Sequence, residues 1–142
     1  MLALYQVACK SRSAERARKG DLVAYDSDNV FAKILRDELP STRVYEDDEF
    51  VAVHDIAPSA PTHIVVIPRL VNGVAPASPA ALTEGDAEMV GRLVLTATRI
   101  ADEQGLVDGG YRLVMNSGED AGQTVHHLHL HILGGRRLGP LG

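Results

Sequence analysis

Four of the chain's six histidines fall in one hexapeptide, His126, His127, Leu128, His129, Leu130 and His131. A strand turns successive side chains to opposite faces. Strict alternation therefore puts His127, His129 and His131 on one face and Leu128, Leu130 and Ile132 on the other. His126 has the parity of Leu128 and is expected on the packed side as a structural residue. Three chemistries compete for such an imidazole row. Neighbouring rings can converge on one metal ion, but the first and third positions lie about 13 Å apart along a strand, so a metal site needs a further ligand from His63, His54 or Asp55. A central imidazole can instead attack an acyl or phosphoryl electrophile while its neighbours fix its tautomer and bind charge. The third option is ligand binding without turnover.

The segment ahead of the row favours phosphorus as the electrophile. Gly118 and Gly122 allow backbone conformations that turn successive N–H groups inward, and Gln123 and Thr124 add neutral donors immediately before the histidines. Taken alone, the same composition is an ordinary turn. Its adjacency to the histidines makes it a candidate anion pocket.

The elements that must position these residues follow from periodicity and punctuation. Asp28 can cap a helix whose apolar positions Phe31, Ile34, Leu35 and Leu39 recur at spacings of three and four, with Pro40 ending it. Strands are expected at 42–45 and 50–53, joined by the acidic turn Glu46, Asp47, Asp48 and Glu49. A β-branched run at 63–67 reads as a strand covered on both faces and closed by Pro68. Residues 70–81 read as a loop. Thr83 and Asp86 then form a capping box ahead of the stripe Met89, Val90, Leu93, Val94, Ala97, Ile100 and Ala101, which ends at Gly105. The stripe is broad enough to leave apolar surface for a partner. The last strands are expected at 111–115 and 125–133. Five strands, two helices and short connections imply an α+β domain on an antiparallel sheet.

Composition bounds the rest. At 142 residues, 45% apolar and 23% charged, the chain fits one compact domain, with 1–27 as an N-terminal extension and 28–142 as the domain. The lone Cys9 and the lack of any CxxC pair exclude a disulfide scaffold or zinc ribbon and point to a reducing, cytoplasmic setting. No apolar run approaches the roughly 18 residues a bilayer span needs, so no membrane partner is expected. The apolar start MLALYQVAC precedes the basic residues, the reverse of a secretory signal. Of 14 basic and 19 acidic residues, five basic and one acidic lie in the first twenty positions, which leaves an acidic body. That balance argues against binding nucleic acid, whose phosphate backbone is held by several Lys and Arg contacts at once. A single phosphate can still be held by backbone amides.

The segment 125–135, HxHxH followed by an aliphatic pair and Gly134, Gly135 and Arg136, resembles the signature of the histidine triad (HIT) nucleotide-binding family, specifically its HINT-like branch of purine nucleoside phosphoramidases. Phe31 to Ile34, the acidic turn, His54 to Pro58 and Ala60 to His63 resemble that branch in order and spacing, so that about 28–139 is covered. The resemblance implies a five-stranded antiparallel sheet with two helices, pairing into a ten-stranded sheet in a homodimer. It implies hydrolysis of purine nucleoside 5′-phosphoramidates to the monophosphate and an amine, with no cofactor and no metal. His129 would be the nucleophile that forms a nucleotidyl-histidine, His131 would bind phosphate oxygens, and His127 and His63 would form a supporting relay. Asp55 would take the ribose hydroxyls, with Ile56, Phe31, Ile34 and Leu39 lining the base pocket. Asn116, Gly122, Gln123 and Thr124 match phosphate and leaving-group positions. Thr124 stands where the branch usually has Ser, which leaves the leaving amine open. A dinucleoside polyphosphate hydrolase and a non-enzymatic nucleotide-sensing dimer are the alternatives.

Overall fold

A computed structural model describes residues 24–142. Cys9 and the basic stretch at 10–19 lie outside the described residues. The order of elements is helix α1 (Val30–Leu35), strands β1 (Arg43–Glu46), β2 (Phe50–His54) and β3 (Thr62–Pro68), helix α2 (Ala87–Glu103), and strands β4 (Tyr111–Val114) and β5 (Leu130–Gly134). The strands form one sheet in the order β1-β2-β3-β5-β4, with every neighbouring pair antiparallel. The expected α+β architecture is the observed one. Among the described residues no helix is long and apolar enough to cross a membrane.

Period-two alternation divides the sheet into two faces. Phe50, Ala52, Ile64, Val66, Leu130 and Ile132 pack with Leu128 against the α2 residues Leu93, Ala97, Ile100 and Ala101. Val51, Val53, Val65 and Ile67 face the other way and meet Ile34, with Phe31 and Leu35 beside it. Among the described residues, the helix packed on the second face has only six residues. His131 projects from that thinly covered side, because it pairs directly with Val65 on β3 and Val114 on β4.

α2 begins where the capping pattern puts it. The Asp86 carboxylate accepts from the Thr83 amide and hydroxyl, and a single 3₁₀ turn at Glu84–Asp86 feeds into the helix. Gly105, at φ +72°, reverses the chain after it. The stripe is only partly consumed: Leu93, Thr96, Ala97, Ile100 and Ala101 are buried, whereas Met89, Val90 and Val94 are half-buried and Leu95 is exposed.

Strand ends shift by a residue at several places, and three differences bear on the site. The cap of α1 is Asn29, whose Oδ1 accepts from the Ala32 amide, while the Asp28 amide is drawn back to the Asp26 carboxylate. The same helix stops at Leu35 and does not run to Pro40. Asp37 takes a left-handed φ of +60°, and Arg43 from β1 binds both the Ile34 carbonyl and the Asp37 carboxylate there. Leu39 therefore lies beyond the helix and is exposed. The last strand begins at Leu130, five residues later than the alternation implies. Residues 125–127 bend, and the Leu128 amide donates to the Pro76 carbonyl at 2.7 Å where a longer strand would have used a neighbouring strand. The parity argument consequently fails at His126, which is exposed and not on the packed side.

Candidate active site

The histidines reach one place by two routes. His63 on β3 and His131 on β5 are brought together by strand register, because His131 lies opposite Val65 and His63 is two residues along on the same face. His127 ends the bend and His129 follows it just before β5; the first is held by the Pro68 carbonyl and the second by the His127 carbonyl. The His129 and His131 rings lie 4.8 Å apart edge to face, and Phe31 of α1 lies 4.8 Å from His129 and 6.3 Å from His127. His63, His127 and His129 are all buried.

Hydrogen bonding assigns the tautomer of each ring. The Ser59 amide donates to His63 Nδ1 at 3.0 Å, so the proton of the neutral ring is on Nε2. That N–H donates to His131 Nδ1 at 2.9 Å, with Asp55 Oδ2 3.4 Å from the same nitrogen. His131, accepting at Nδ1, carries its proton on Nε2. His127 Nε2 lies 2.9 Å from the Pro68 carbonyl, which can only accept, so His127 is protonated at Nε2. By the same argument His129 Nδ1, 2.6 Å from the His127 carbonyl, is the donor there. Its Nε2 keeps the lone pair, and no described residue donates to it.

Burial keeps these rings neutral. Desolvation pushes His127 down to about 4 against the Pro68 bond, which favours the charged form. It also takes His131 down to about 4, helped by His129 and His63 and opposed by Asp55. His129 and His63 are lowered by burial as well, with Asp55 opposing in both. An unprotonated His129 Nε2 is what a nucleophile requires.

The other candidate residues are placed unevenly. Asp55 is half-buried, with Oδ1 accepting from the Ala57 amide and Oδ2 facing His63, so it both closes a turn and borders the site. His54 is exposed and has the parity of Phe50 and Ala52, on the sheet face opposite the histidines. Ile34 is buried in the sheet packing, whereas Ile56 is almost fully exposed at 99%. Asn116 is half-buried and Thr124 exposed.

Gln123 behaves differently from a ligand donor. Its Nε2 donates to the Ala77 and Val125 carbonyls and its Oε1 accepts from the Gly118 amide. Gly122 and Gln123 give their own N–H groups to Glu119 and Gly118. Much of the expected anion pocket is thus spent closing the loop, because buried amides must be paired. No described hydrogen bond joins His127 to His63, which separates the expected relay into two pairs: His63 with His131, and His127 with His129.

Asp55, His63 and His131 each offer a ligand atom within 4.8 Å of the others, a set able to hold one divalent ion. It takes one member of the histidine row, His131, and draws its other ligands from β3 and the loop before it. Sequence reasoning missed Tyr25, whose hydroxyl lies 2.6 Å from His127 Nδ1, and a single tyrosine ahead of the first helix carries no signal. A groove of about 920 Å³ runs past Tyr25, Pro68, Val71, Val74 and Pro76, and no histidine lines it.

The chain is similar in sequence and fold to known proteins. Purine nucleoside phosphoramidase of Escherichia coli K12 is 44% identical over 118 residues, covering 80% of this chain and 92% of the relative. A maize protein named 14 kDa zinc-binding protein is 44% identical over 113 residues, 80% of this chain and 86% of its own. A HIT family hydrolase from Clostridium thermocellum superposes with a TM-score of 0.75 at 40% identity, over 82% of this chain and 97% of that one. A histidine triad protein from Clostridium difficile gives 0.76 at 37%, over 84% and 100%. Residues 36–138 match the HIT domain, and with the paired histidines on one thinly covered sheet face, the chain belongs to the HIT family.

Proposed function

We propose that the protein hydrolyses the P–N bond of purine nucleoside 5′-phosphoramidates through a nucleotidyl-histidine intermediate. The observation that carries this reading is the tautomer of His129, whose Nδ1–H is engaged by the His127 carbonyl so that Nε2 presents a lone pair. The similarity to the Escherichia coli phosphoramidase supports the choice of a P–N bond. In this reading His129 Nε2 attacks the α-phosphorus, the P–N bond breaks, and the amine departs with a proton from solvent. Water then hydrolyses the phosphorus–histidine bond. His131 Nε2–H is available to a phosphate oxygen, and Asp55 Oδ2, which holds no strong bond, to the ribose hydroxyls. Phe31 lies beside His129 as a wall for the base, and Ile56, next to Asp55, is exposed and free to meet a ligand. Neutral imidazoles leave the phosphate charge to be met by N–H dipoles.

The test compares adenosine 5′-phosphoramidate with a diadenosine polyphosphate. The phosphoramidate should be turned over far faster. His129→Asn should lose several powers of ten in kcat while nucleotide binding persists. Full activity in that variant would refute the covalent route, and rapid turnover of neither substrate would favour a nucleotide-sensing role.

The active unit in this reading is a homodimer. β4 is an edge of the sheet, and two copies paired along it would form ten strands, with exposed Leu95 and the half-buried Val90 and Val94 of α2 offering further apolar surface. Sedimentation at micromolar concentration should give twice the chain mass.

A further inference from the structure

His127 is wholly buried, yet neither of its ring nitrogens touches another histidine. Nε2–H donates to the Pro68 carbonyl, so Nδ1 needs a donor, and a buried acceptor without one is unfavourable. The donor is Tyr25, from the segment ahead of α1, at 2.6 Å. The direction of that bond follows from the Pro68 contact: with the ring proton on Nε2, Nδ1 can only accept, so the hydroxyl donates. Asn29 Nδ2 donates to the Tyr25 oxygen at 2.9 Å, which suits a hydroxyl whose proton is turned to His127. Asn29 is itself held, since its Oδ1 caps α1 and its Nδ2 also donates to the Asp26 carbonyl. The Tyr25 and Phe31 rings stand edge-on to the imidazole at 5.7 and 6.3 Å.

These bonds form a directed chain. Asn29 orients Tyr25, Tyr25 fixes the His127 tautomer, and both ring nitrogens of His127 then hold the residue in place. Its carbonyl in turn accepts from His129 Nδ1. We propose that Tyr25 is a positioning residue, keeping His129 in the Nδ1–H tautomer by anchoring His127 from the N-terminal side. A phenylalanine would fill the same space but leave His127 Nδ1 without a donor. The ring would then rotate, or shift its proton to Nδ1 and set an unprotonated Nε2 against the Pro68 carbonyl. Either change displaces the carbonyl that holds His129.

The kinetic arm rests on the phosphoramidase reading; the spectroscopic arm does not. Full-length Tyr25→Phe should fold, and its kcat on adenosine 5′-phosphoramidate should fall about five- to tenfold with KM little changed, the effect of one misplaced hydrogen bond felt at the nucleophile. In ¹⁵N spectra of the histidine rings, His129 should be a pure Nδ1–H tautomer in the native chain and a mixture in Tyr25→Phe. Tyr45→Phe, which removes a surface hydroxyl bonded to Asp47, controls for hydroxyl loss and should change neither readout. Native kcat in Tyr25→Phe, or ring-nitrogen signals of His129 identical to the native ones, would overturn the proposal. If the native chain turned over no phosphoramidate, the functional reading would fall, and the His129 tautomer in the two chains would still decide the role of Tyr25.

Discussion

Buried neutral histidines make stability depend on pH, and His127 sets the scale. In the unfolded chain its imidazole titrates near 6.5, and burial lowers it to about 4 in the fold. The unfolded state therefore binds a proton that the native state refuses. Native stability is complete above the unfolded value, declines as pH falls through 6.5, and levels off below the folded value. At about pH 5 the unfolded ring is almost fully protonated and the folded ring about one-tenth so, a difference worth about 2 kcal/mol relative to pH 7.5. His63, His129 and His131 are lowered too and act in the same direction. Urea unfolding at the two pH values, for the native chain and for His127→Gln, isolates the contribution of this ring. Glutamine keeps a donor for the Pro68 carbonyl but does not titrate. The variant should be less stable at pH 7.5, yet lose about 2 kcal/mol less than the native chain on going to pH 5. Equal losses in the two proteins would refute the reasoning, because the destabilisation would then come from other groups.

Gln123→Ala removes three hydrogen bonds that tie 77, 118 and 125 together, and should cost about 2 to 3 kcal/mol in denaturant unfolding. Gly135→Ala should lower the melting temperature by an amount corresponding to more than about 1 kcal/mol, since φ is +93° and a Cβ would stand 2.9 Å from Pro61 Cβ. A melting curve matching the native one would show that the turn relaxes freely. Exhaustive chelation should leave phosphoramidate turnover unchanged, and activity lost on chelation and restored by zinc would point instead to an ion held by Asp55, His63 and His131.

The sheet and its long helix were legible because their signals are local and repeated. The β-branched run at 63–67, the Thr83–Asp86 cap and the repeated spacing of the α2 stripe are each read within a few neighbouring residues, and burial rewards them. The histidine row was legible as a cluster of chemistry, and the ring pairing of His131 with His63 is a matter of register between strands far apart in sequence. What sequence alone could not decide lies where hydrogen bonds override period. The bend at 125–127 exposes His126, and the Pro68 carbonyl captures His127 Nε2. Gln123 reads as a free donor in a list of residues, but its amide closes the loop once Ala77 and Gly118 are brought beside it. Tyr25 matters only because α1 folds back over the histidine face and brings a hydroxyl to a nitrogen 102 residues away. Residue type and spacing select which groups can do chemistry. Which nitrogen carries the proton is decided by donors and acceptors that only the tertiary fold brings into contact.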